Sequence, residues 1–587
     1  MKDFIKVVLA VVCGVFIAGI IGFFLFFGML GSLAASSKPI LPREGVLKID
    51  MNKFVLGEQT RSADPFGALD PATLLMGGET SSTAVIGIWD AVQAVNAAAE
   101  DPAVKYIYLR TDGNASGVSD LEELRKALEN FRATSGKPVV TYLESLGAGA
   151  YYLASVSDKI YMTNSVGGNP SLTGIGTQMV FFGDLLKKLG VNVQLIRHGK
   201  YKSAGETFTR SDASPENREQ YQRMIDSLWE TIGTEIAEAR GIDPARLDEL
   251  IDGLKLRLPQ DCLDNGLVDG LLGPGELEEK LAVLAVKDNF KDVKFINFPD
   301  YVTSRVQSGK ARQKIAVIYA DGEIIDGSSK SNVAGDRFAA VVAKVRADST
   351  VKAVVLRVNS PGGSVLASDK IKSELDRLQA VKPVVASYGS TAASGGYWIS
   401  NNCEKIFSDA TTLTGSIGVF GLVPDLSKAA KDVAHVGVES ITSHKHGDIM
   451  GMMRPLDAAE YGYMLTGIEA VYDRFTSLVS EGRGIPKETV DAIGQGRVWT
   501  GADALGIRLV DEIGTLEDAI HYAAVAAGDS DLNNWNVKGY PAPPSAMESF
   551  FGALGGKSDG EDVLTATARR LAKPATYVRM DVDFDIK

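Results

Sequence analysis

The sequence predicts an α/β protein in which helices alternate with short apolar strands and in which the whole pattern occurs twice. From Ile86 onward, stretches with the 3.6-residue apolar period of a helix lie between short strand-like runs. The chain has 587 residues, which is too long for one compact core, so two or more domains are expected. Matching segments recur in the same order at a spacing of about 245 residues, and this indicates a tandem duplication.

Composition excludes several classes of protein. Hydrophobic residues make up 45% of the chain and charged residues 23%, as in an ordinary globular protein rather than a disordered one. The net charge of −13 and the lack of a Lys/Arg cluster argue against nucleic acid as a partner. The cysteines Cys13, Cys262 and Cys403 show neither a disulfide framework nor metal-ligand spacing, and we expect no metal and no other cofactor.

An apolar segment near the N-terminus predicts a membrane anchor. Val7–Leu30 is unbroken apolar sequence, long enough to cross a hydrocarbon core of ~30 Å as a helix. Lys2 and Lys6 precede it, which favours an N-terminus in the cytoplasm and export of the rest of the chain. A cleaved signal peptide is the alternative, with a processing site at Ala34-Ala35-Ser36, but its apolar region would be shorter, about 7–15 residues. Residues 1–44 are therefore predicted to form an anchor and a spacer.

Two repeats are predicted after this anchor, at residues 45–300 and 301–540, followed by a tail at residues 541–587. The predicted elements of the first repeat are strand Gly45–Asp50, helix Ile88–Ala99, strand Tyr106–Thr111, helix Ser119–Ala133 and strand Pro138–Tyr142. In the second repeat the clearest strands are Ala353–Val358 and Pro383–Ala386. The tail opens with a Pro-rich run, and we expect a flexible extension with one short amphipathic helix at Met547–Leu554.

The duplication is visible as pairs of matching segments. Val104–Arg110 matches Val351–Arg357, and Lys137–Val140 matches Lys382–Val385. Three further pairs keep the same order: Asp158–Tyr161 with Glu404–Phe407, Leu172–Gly174 with Leu413–Gly415, and Gly266–Asp269 with Arg508–Asp511. A chance similarity would not preserve the order of five pairs, so the two halves are related.

The repeats differ at a serine and at a glycine turn. Ser394 lies in the small-residue run Ala392-Ala393-Ser394-Gly395-Gly396 and falls opposite Gly149 of the first repeat. An earlier strand runs into Asn359-Ser360-Pro361-Gly362-Gly363, whose backbone N–H groups could face an anion. A hydroxyl and donors for an oxyanion together suggest acyl transfer. Each motif alone also fits a close helix–strand crossing or a tight turn, and Ala392 departs from the Gly-x-Ser-x-Gly elbow.

A serine nucleophile needs a base within hydrogen-bond reach. A Ser-His-Asp triad stays open, because the chain has five histidines: His198, His435, His444, His446 and His521. A lysine is the other candidate, although lowering its pKa from about 10.4 to near 7 costs roughly 4–5 kcal/mol and requires burial away from carboxylates.

Lys202 is the preferred lysine. It lies among small, uncharged residues, with Glu206 as the nearest acid. Lys200 and, in the second repeat, Lys445 are alternatives, because the register between the repeats is uncertain by a residue or two here. Isolated loop lysines are usually solvated charges, so composition alone does not make any of the three a base.

Together these features resemble the signal peptide peptidase A family in its long, tandem-repeat bacterial form. The resemblance rests on the N-terminal anchor and the two related halves, with Gly199–Ala204 in the first and Asn359–Gly363 and Ala393–Tyr397 in the second. It covers the chain from about Gly45 to Gly528. It implies a membrane-bound serine endopeptidase that degrades cleaved signal peptides, with two tandem crotonase/Clp-protease-like α/β domains preceded by an N-terminal transmembrane helix.

The resemblance also implies roles for individual residues and a cellular setting. Ser394 would be the nucleophile and Lys202 the general base, so that a Ser/Lys dyad would span both repeats. The family's oxyanion and supporting positions match Gly362, Gly363, Gly395 and Ser416. The implied setting is the bacterial inner membrane, with a single membrane pass and the catalytic domains in the periplasm. The implied partners are signal-peptide remnants, membrane lipid and further copies of the chain in a homotetramer.

Two other classes of function stay open on the sequence alone. A crotonase-like acyl-CoA enzyme would use the same backbone donors for a thioester enolate, but it would need neither Ser394 nor a membrane anchor. A non-catalytic, membrane-anchored scaffold would bind partners through the first repeat, and loss of the Ser394 hydroxyl would not affect it.

Overall fold

The computed structural model describes residues 39–61, 84–113, 115–306, 309–330, 332–543 and 575–580, together with residues 14, 15, 18, 19 and 22. The predicted membrane segment Val7–Leu30 lies outside these residues, apart from the five isolated positions. Within the described part of the chain, no helix has the length and apolarity that a membrane crossing requires. The helix predicted at Met547–Leu554 also lies outside the described residues.

The first half of the chain folds around a six-stranded parallel sheet. In spatial order its strands are Gly270–Leu272, Lys159–Thr163, Val139–Leu143, Val104–Arg110, Gly45–Asp50 and Phe295–Asn297. Every neighbouring pair in this order is parallel. Val139–Leu143 is buried along its whole length, as expected for a parallel strand that is covered on both faces. This confirms the predicted α/β class for the first half.

The second half repeats this strand order. A path of parallel neighbours consists of Glu512–Ile513, Ile406–Ser408, Val384–Ala393, Val351–Ser360, Lys314–Asp321 and Asn536–Tyr540. Matching segments of sequence occupy matching positions in the two sheets, which confirms the duplication. Two further strands extend the second sheet. Leu413–Gly415 pairs in parallel with the last three residues of Val384–Ala393, and Val498–Thr500 pairs antiparallel with Leu413–Gly415.

Helices connect these strands, and two long ones have matching places in the two halves. Pro215–Arg240 and Ala458–Arg483 each have 26 residues. Each begins at a polar cap, Ser214 or Asp457, that accepts a hydrogen bond from a backbone N–H of the first turn, and each ends at a glycine in the left-handed conformation. The other α-helices of residues 39–543, as far as the structure describes them, are Ile88–Glu100, Val118–Ser135, Ala148–Ala154, Gly183–Lys188, Glu206–Thr209, Pro244–Asp252, Pro259–Asp264, Pro274–Leu284, Phe298–Arg305, Gly335–Ala347, Val365–Gln379, Gly395–Ser400, Lys487–Ile493, Gly501–Gly506 and Leu516–Ala526.

A third sheet is mixed and joins the two halves. Its order is Val333–Ala334, Ile324–Ile325, Gly362–Ser364, Ala575–Arg579, Val419–Asp425 and Asn192–His198. Asn192–His198 of the first half pairs antiparallel with Val419–Asp425 of the second over seven residue pairs. Ala575–Arg579 comes from the predicted tail, so the expectation of a flexible extension is wrong for these residues. A separate small sheet consists of Phe54–Gly57 and Ala84–Gly87.

The predicted elements agree with the structure to within a few residues, with one informative exception. The strand predicted to end at Ala386 continues to Ala393. It continues because Thr391 and the two following residues find hydrogen-bond partners in Leu413–Gly415, a strand that the sequence pattern did not indicate. As a result, Ser394 follows directly on a buried strand rather than lying in a loop.

A buried ion cluster fastens the second sheet to the first half. Arg357 is fully buried, and its guanidinium pairs with Glu58 at 2.7 Å and with Glu123 at 2.8 Å, both from the first half. Burial raises the pKa of both carboxyl groups, although Arg357 acts against this. Burial, followed by the negative charge of Glu58, raises the pKa of Asp120 nearby to about 8. The cation therefore compensates several carboxyl groups that have lost their hydration.

Replacing Arg357 by Met should lower the free energy of unfolding by about 3–5 kcal/mol, because two buried glutamates would lose their cation. Urea unfolding near pH 7 measures this change. The loss should become smaller when the measurement is repeated at a lower pH, because carboxyl groups with a raised pKa in the folded state take up protons earlier than ordinary carboxyl groups and then need no counter-ion. Arg312→Met changes an exposed arginine and is the matched control. An equal loss at both pH values would contradict this account.

Candidate active site

Ser394 lies at the junction between strand Val384–Ala393 and helix Gly395–Ser400. Its backbone has φ 56° and ψ −112°, a conformation that residues with a side chain rarely adopt. The Ser394 N–H donates to Gly415 O at 2.8 Å, which fixes the residue against the neighbouring strand. Gly396 allows the close approach, because a Cβ at that position would lie 2.7 Å from Ser360 O. The serine is fully buried.

The side chain of Lys202 reaches Ser394 from the first half of the chain. Lys202 follows strand Asn192–His198, and its Nζ lies 2.8 Å from Ser394 Oγ. The same nitrogen lies 2.9 Å from Ser416 Oγ and 3.0 Å from Ser416 O. Lys202 is only 1% exposed, so it is buried, unlike most isolated loop lysines. Three of the residues singled out in the sequence therefore meet in one cluster.

Ser416 occupies a second unusual backbone position, with φ 50°. It follows strand Leu413–Gly415, and its N–H donates to Arg497 O at 2.7 Å. This bond and the backbone conformation direct both the hydroxyl and the carbonyl oxygen toward Lys202. Two acceptors on one rigid residue restrict the position of the amine beside Ser394.

The glycine turn lies beside the residue that follows the serine. A Cβ built on Gly395 would lie 3.0 Å from Gly362 Cα and 3.1 Å from Gly363 N. Gly362 and Gly363 have φ 94° and 155°, and a Cβ on Gly363 would lie 1.9 Å from Ile324 O. The backbones approach so closely that a side chain on Gly363 or Gly395 would press on main-chain atoms. The structure thus brings the predicted oxyanion residues to one place.

Glu206, the acid nearest to Lys202 in the sequence, binds other groups. Its carboxylate accepts hydrogen bonds from Arg197 at 3.0 Å and from the Ser214 N–H at 3.1 Å. Arg197 also donates to Lys202 O at 2.9 Å. Gly205, next to Glu206, has no room for a side chain, since a Cβ would lie 2.4 Å from Leu195 Cδ1. The loop that carries the lysine is therefore held by its own ion pair and by tight packing.

Gln220 is a buried residue of this site that the sequence analysis missed. Its Nε2 donates to Tyr201 O at 3.0 Å and to Ser203 Oγ at 2.8 Å, so it holds both neighbours of Lys202. Its Oε1 accepts a hydrogen bond from the Val498 N–H of the second half at 3.3 Å. One amide therefore links the lysine loop to the strand beside Leu413–Gly415. A single glutamine on a helix gives no signal in a sequence that would mark this role.

The alternative bases lie elsewhere. Lys200 and Lys445 are both exposed. All five histidines are among the described residues, and none of them forms a hydrogen bond with Ser394 in this part of the chain. His198 stacks on Tyr472 with ring centroids 3.9 Å apart. The geometry therefore favours Lys202 over every other base considered from the sequence.

Within the described residues, one group of possible metal ligands has its ligand atoms within 4.8 Å of one another: His446, Asp457 and Glu460. Arg454 donates to both carboxylate oxygens of Glu460, at 2.6 Å each. The guanidinium lowers the pKa of Glu460 and takes the place that a cation would need. This group is therefore an ion-pair network near the surface rather than an open set of metal ligands.

Comparison with known proteins identifies the family. The model of Peptidase family S49 matches the chain twice, at residues 132–287 and 376–529. The chain belongs to peptidase family S49. This S49 peptidase is 36% identical to Protease 4 of Haemophilus influenzae over 452 residues, which are 75% of this chain and 72% of that protein. It is 34% identical to Protease 4 of Salmonella typhi over 554 residues, 91% of this chain and 87% of that protein.

A plant relative and a solved structure complete the comparison. The chloroplastic serine protease SPPA of Arabidopsis thaliana is 29% identical over 480 residues, 79% of this chain and 69% of that protein. A mutant ClpP1 from Listeria monocytogenes covers 35% of this chain and 94% of its own at 17% identity, with a TM-score of 0.24 that is too low to bear on the fold. Membership of the S49 family and the similarity to Protease 4 show that this chain is a serine protease. They favour this function over the two alternatives considered from the sequence, an acyl-CoA enzyme and a non-catalytic scaffold.

Replacing Gln220 by Leu should lower kcat for peptide hydrolysis about 10- to 100-fold with little change in KM. The reason is that the lysine loop would lose three hydrogen bonds, and a small misplacement of a catalytic group is costly. Steady-state kinetics on a fluorogenic peptide measure the effect. Gln222→Leu, two residues away on the same helix and exposed, is the control. A lower melting temperature with an unchanged kcat would assign Gln220 to stability alone.

Proposed function

We propose that this S49 serine protease is a membrane-bound endopeptidase that degrades cleaved signal peptides through a Ser/Lys dyad split between its two repeats. The observation that carries the proposal is the distance of 2.8 Å between Lys202 Nζ and Ser394 Oγ. In this assignment residues 45–300 form a crotonase/Clp-type repeat that supplies the base, and residues 301–540 form one that supplies the nucleophile. Activity then depends on the interface, because neither repeat holds both groups.

Ser394 acts as the nucleophile and Lys202 as the general base. The neutral amine accepts the hydroxyl proton while Oγ attacks the carbonyl carbon of the substrate, and it later gives this proton to the leaving amine. Burial of Lys202 supports the neutral form, because a charged ammonium loses its hydration there. The two oxygens of Ser416 support a fixed direction for the amine, since both lie within 3.0 Å of Nζ.

The negative charge that develops on the carbonyl oxygen needs donors. We assign this role to the Gly395 N–H and to the turn at Gly362-Gly363, because a Cβ built on Gly395 would lie only 3.1 Å from Gly363 N. The Gly362 N–H donates to Ser360 Oγ at 3.2 Å in this structure, so it would turn to the oxyanion only by giving up that bond. These donors are backbone groups held by a strand end and a helix start, which limits their reorganisation during the reaction.

The surroundings of the nucleophile support an apolar peptide as the substrate. Met224, Leu413 and Val498 pack together with Ala393, the residue before Ser394. Apolar side chains are what a signal peptide presents. A protein of Enterococcus faecium named Putative signal peptide peptidase SppA is 33% identical over 224 residues, 37% of this chain and 64% of that protein.

The proposed location is the inner membrane of a bacterium. The apolar segment Val7–Leu30 supports a single membrane pass, and Lys2 and Lys6 support a cytoplasmic N-terminus with the catalytic domains in the periplasm. Membrane lipid is then a partner of the anchor. The proposed assembly is a homotetramer, which rests on the resemblance to the long bacterial form of the family.

Ser394→Ala and Lys202→Met should each lower kcat/KM for peptide hydrolysis by about 10³-fold or more, because each removes one member of a cooperating pair. Circular dichroism should show an unchanged fold. A fluorophosphonate probe should label Ser394 in the parent protein and fail to label it in Lys202→Met. Lys200→Met and Lys445→Met change exposed lysines and are the controls. Full activity in Lys202→Met together with loss in Lys445→Met would move the base to the second repeat.

The pH profile of kcat/KM should have an acid limb that rises with the deprotonation of Lys202, because only the neutral amine accepts a proton. Measurements between about pH 6 and 10 cover this limb. Replacing each of the five histidines by Asn or Gln in turn should leave the limb in place. Disappearance of the limb in any one histidine variant would reinstate a triad and overturn the proposed base.

A further inference from the structure

Much of the candidate active site depends on one short strand, Leu413–Gly415. It pairs in parallel with Thr391–Ala393, and the carbonyl oxygen of its last residue accepts the Ser394 N–H at 2.8 Å. Ser416 follows it directly and offers two oxygens to Lys202 Nζ. A strand of three residues makes few hydrogen bonds of its own, so the segments at its two ends decide how precisely it is placed.

The loop of residues 409–412 leads into this strand, and the first half of the chain holds it. Glu122, on helix Val118–Ser135, is only 1% exposed. Its Oε1 accepts the Ala410 N–H at 3.0 Å, and its Oε2 accepts the Thr411 N–H at 3.1 Å and the Thr411 hydroxyl at 2.8 Å. Three donors from two consecutive residues therefore meet one buried carboxyl group. Hydrogen bonds to a carboxylate are roughly twice as strong as those between neutral groups.

Lys126, one turn further along the same helix, balances the charge of this carboxylate. Its Nζ lies 2.9 Å from Glu122 Oε1. Burial opposes the charge of the amine, but Glu122 and then Asp409 raise the pKa of Lys126 above its ordinary value. The carboxylate thus has a cation on one side and the donors of the loop on the other, as a buried charge requires.

The carboxyl group of the loop itself, that of Asp409, makes no comparable contact. Asp409 is fully buried, and within the described residues neither of its carboxyl oxygens has a hydrogen-bond partner. Burial, followed by the negative charges of Glu123 and Glu122, raises the pKa of Asp409 well above its ordinary value. A neutral Asp409 does not repel Glu122, and it supplies no bond that would replace those of Glu122.

The neighbouring residue Glu123 has a different task. It pairs with Arg357 at 2.8 Å and accepts the Leu516 N–H at 3.0 Å. Neither of these contacts involves the loop before Ser416. Two consecutive glutamates of one helix therefore divide their contacts, so that Glu123 compensates the buried cation and Glu122 holds the loop.

We propose that Glu122 is a positioning residue of the active site, which holds the loop before strand Leu413–Gly415 and through this strand places Ser416 beside Lys202. The inference rests on the proposed Ser/Lys dyad and adds a residue to it. The first half of the chain then supplies the amine and also fixes the serine that directs this amine. Glu122 acts through the strand and not on the reacting atoms.

Glu122→Gln in the full chain tests this role. The amide keeps the shape of the side chain but turns an NH2 group toward donors that had a carboxylate oxygen as their partner. kcat for a fluorogenic apolar peptide should fall about 10- to 100-fold with KM unchanged, because the amine is misplaced while contacts with the substrate stay the same. Glu129→Gln, exposed on the same helix, is the control and should keep the parent kcat. A folded Glu122→Gln protein with the parent kcat, or with a change in KM alone, would overturn the proposal.

Thr411 supplies a second test that leaves the charges of the interface in place. Thr411→Val removes the hydroxyl that donates to Glu122 and should lower kcat by a smaller factor, whereas Thr411→Ser keeps the hydroxyl and should keep the parent kcat. In the double variant Glu122→Gln/Thr411→Val, kcat should equal that of Glu122→Gln, because both changes break the same contact. Two effects that multiply in the double variant, or the parent kcat in Thr411→Val, would overturn the proposal.

Labelling by a fluorophosphonate probe measures the reactivity of Ser394 without a peptide substrate. The rate of labelling should fall in Glu122→Gln and in Thr411→Val in the same order as kcat, since the probe needs the same activated hydroxyl. The parent rate of labelling in both variants would contradict a role in positioning.

A crystal structure of Glu122→Gln separates this inference from the proposed function. The distance between Ser416 Oγ and Lys202 Nζ, 2.9 Å in the parent chain, should increase by about 0.5 Å or more, which is the tolerance of a catalytic arrangement. An unchanged distance would overturn the positioning role even if Ser394 and Lys202 prove essential for peptide hydrolysis. An increased distance in a chain that needs neither residue for hydrolysis would keep the placement by Glu122 and remove the dyad instead.

Discussion

The contact between Lys202 Nζ and Ser394 Oγ, 2.8 Å long, joins the two halves of the molecule and sets the demands on the rest of the structure. An amine in one half must be held against a hydroxyl in the other, away from water, to within a fraction of an ångström. The pairing of Asn192–His198 with Val419–Asp425 meets this demand, because it continues one sheet across the boundary immediately before the lysine loop. Gln220 acts over a shorter distance on the same loop. The interface between the two halves is therefore the part of the fold that must be positioned most precisely.

Unfavourable local features are concentrated around this contact and are balanced by their surroundings. Ser394 and Ser416 both have positive φ, and the glycines of the turn allow backbone approaches that no side chain would permit. Arg357 lies on the strand that leads into that turn and is itself buried among carboxylates of the first half. The strand end that leads into the proposed oxyanion turn is thus fixed by charges from the other half. Such strain persists only where neighbouring groups determine the position many times over.

The sequence reveals the repeats, most strands and the serine, because these depend on periodicity and on local composition, which are written in consecutive residues. It does not distinguish Lys202 from Lys200 or Lys445, because whether a lysine is buried depends on residues that are distant in the sequence. Ser394, which contacts Lys202, is more than 190 positions away. The role of Gln220 could not be predicted for the same reason, because its hydrogen-bond partners are distant in the sequence. The extension of Val384–Ala393 depends on pairing with Leu413–Gly415, a strand too short to recognise from its pattern. Features that depend on consecutive residues can therefore be predicted from the sequence, whereas contacts between distant residues cannot.

The strand from the tail follows from the same architecture. Gly362–Ser364 and Val419–Asp425 face each other across a gap of one strand, and each presents backbone donors and acceptors that need partners. An enzyme that binds extended peptides must keep such edges free for its substrate, yet a free edge attracts any strand, including those of other copies. In this structure a segment of the same chain, Ala575–Arg579, covers both edges, so that strands of other copies cannot pair with them. Its high effective concentration, rather than the strength of any one contact, is what makes a short segment sufficient.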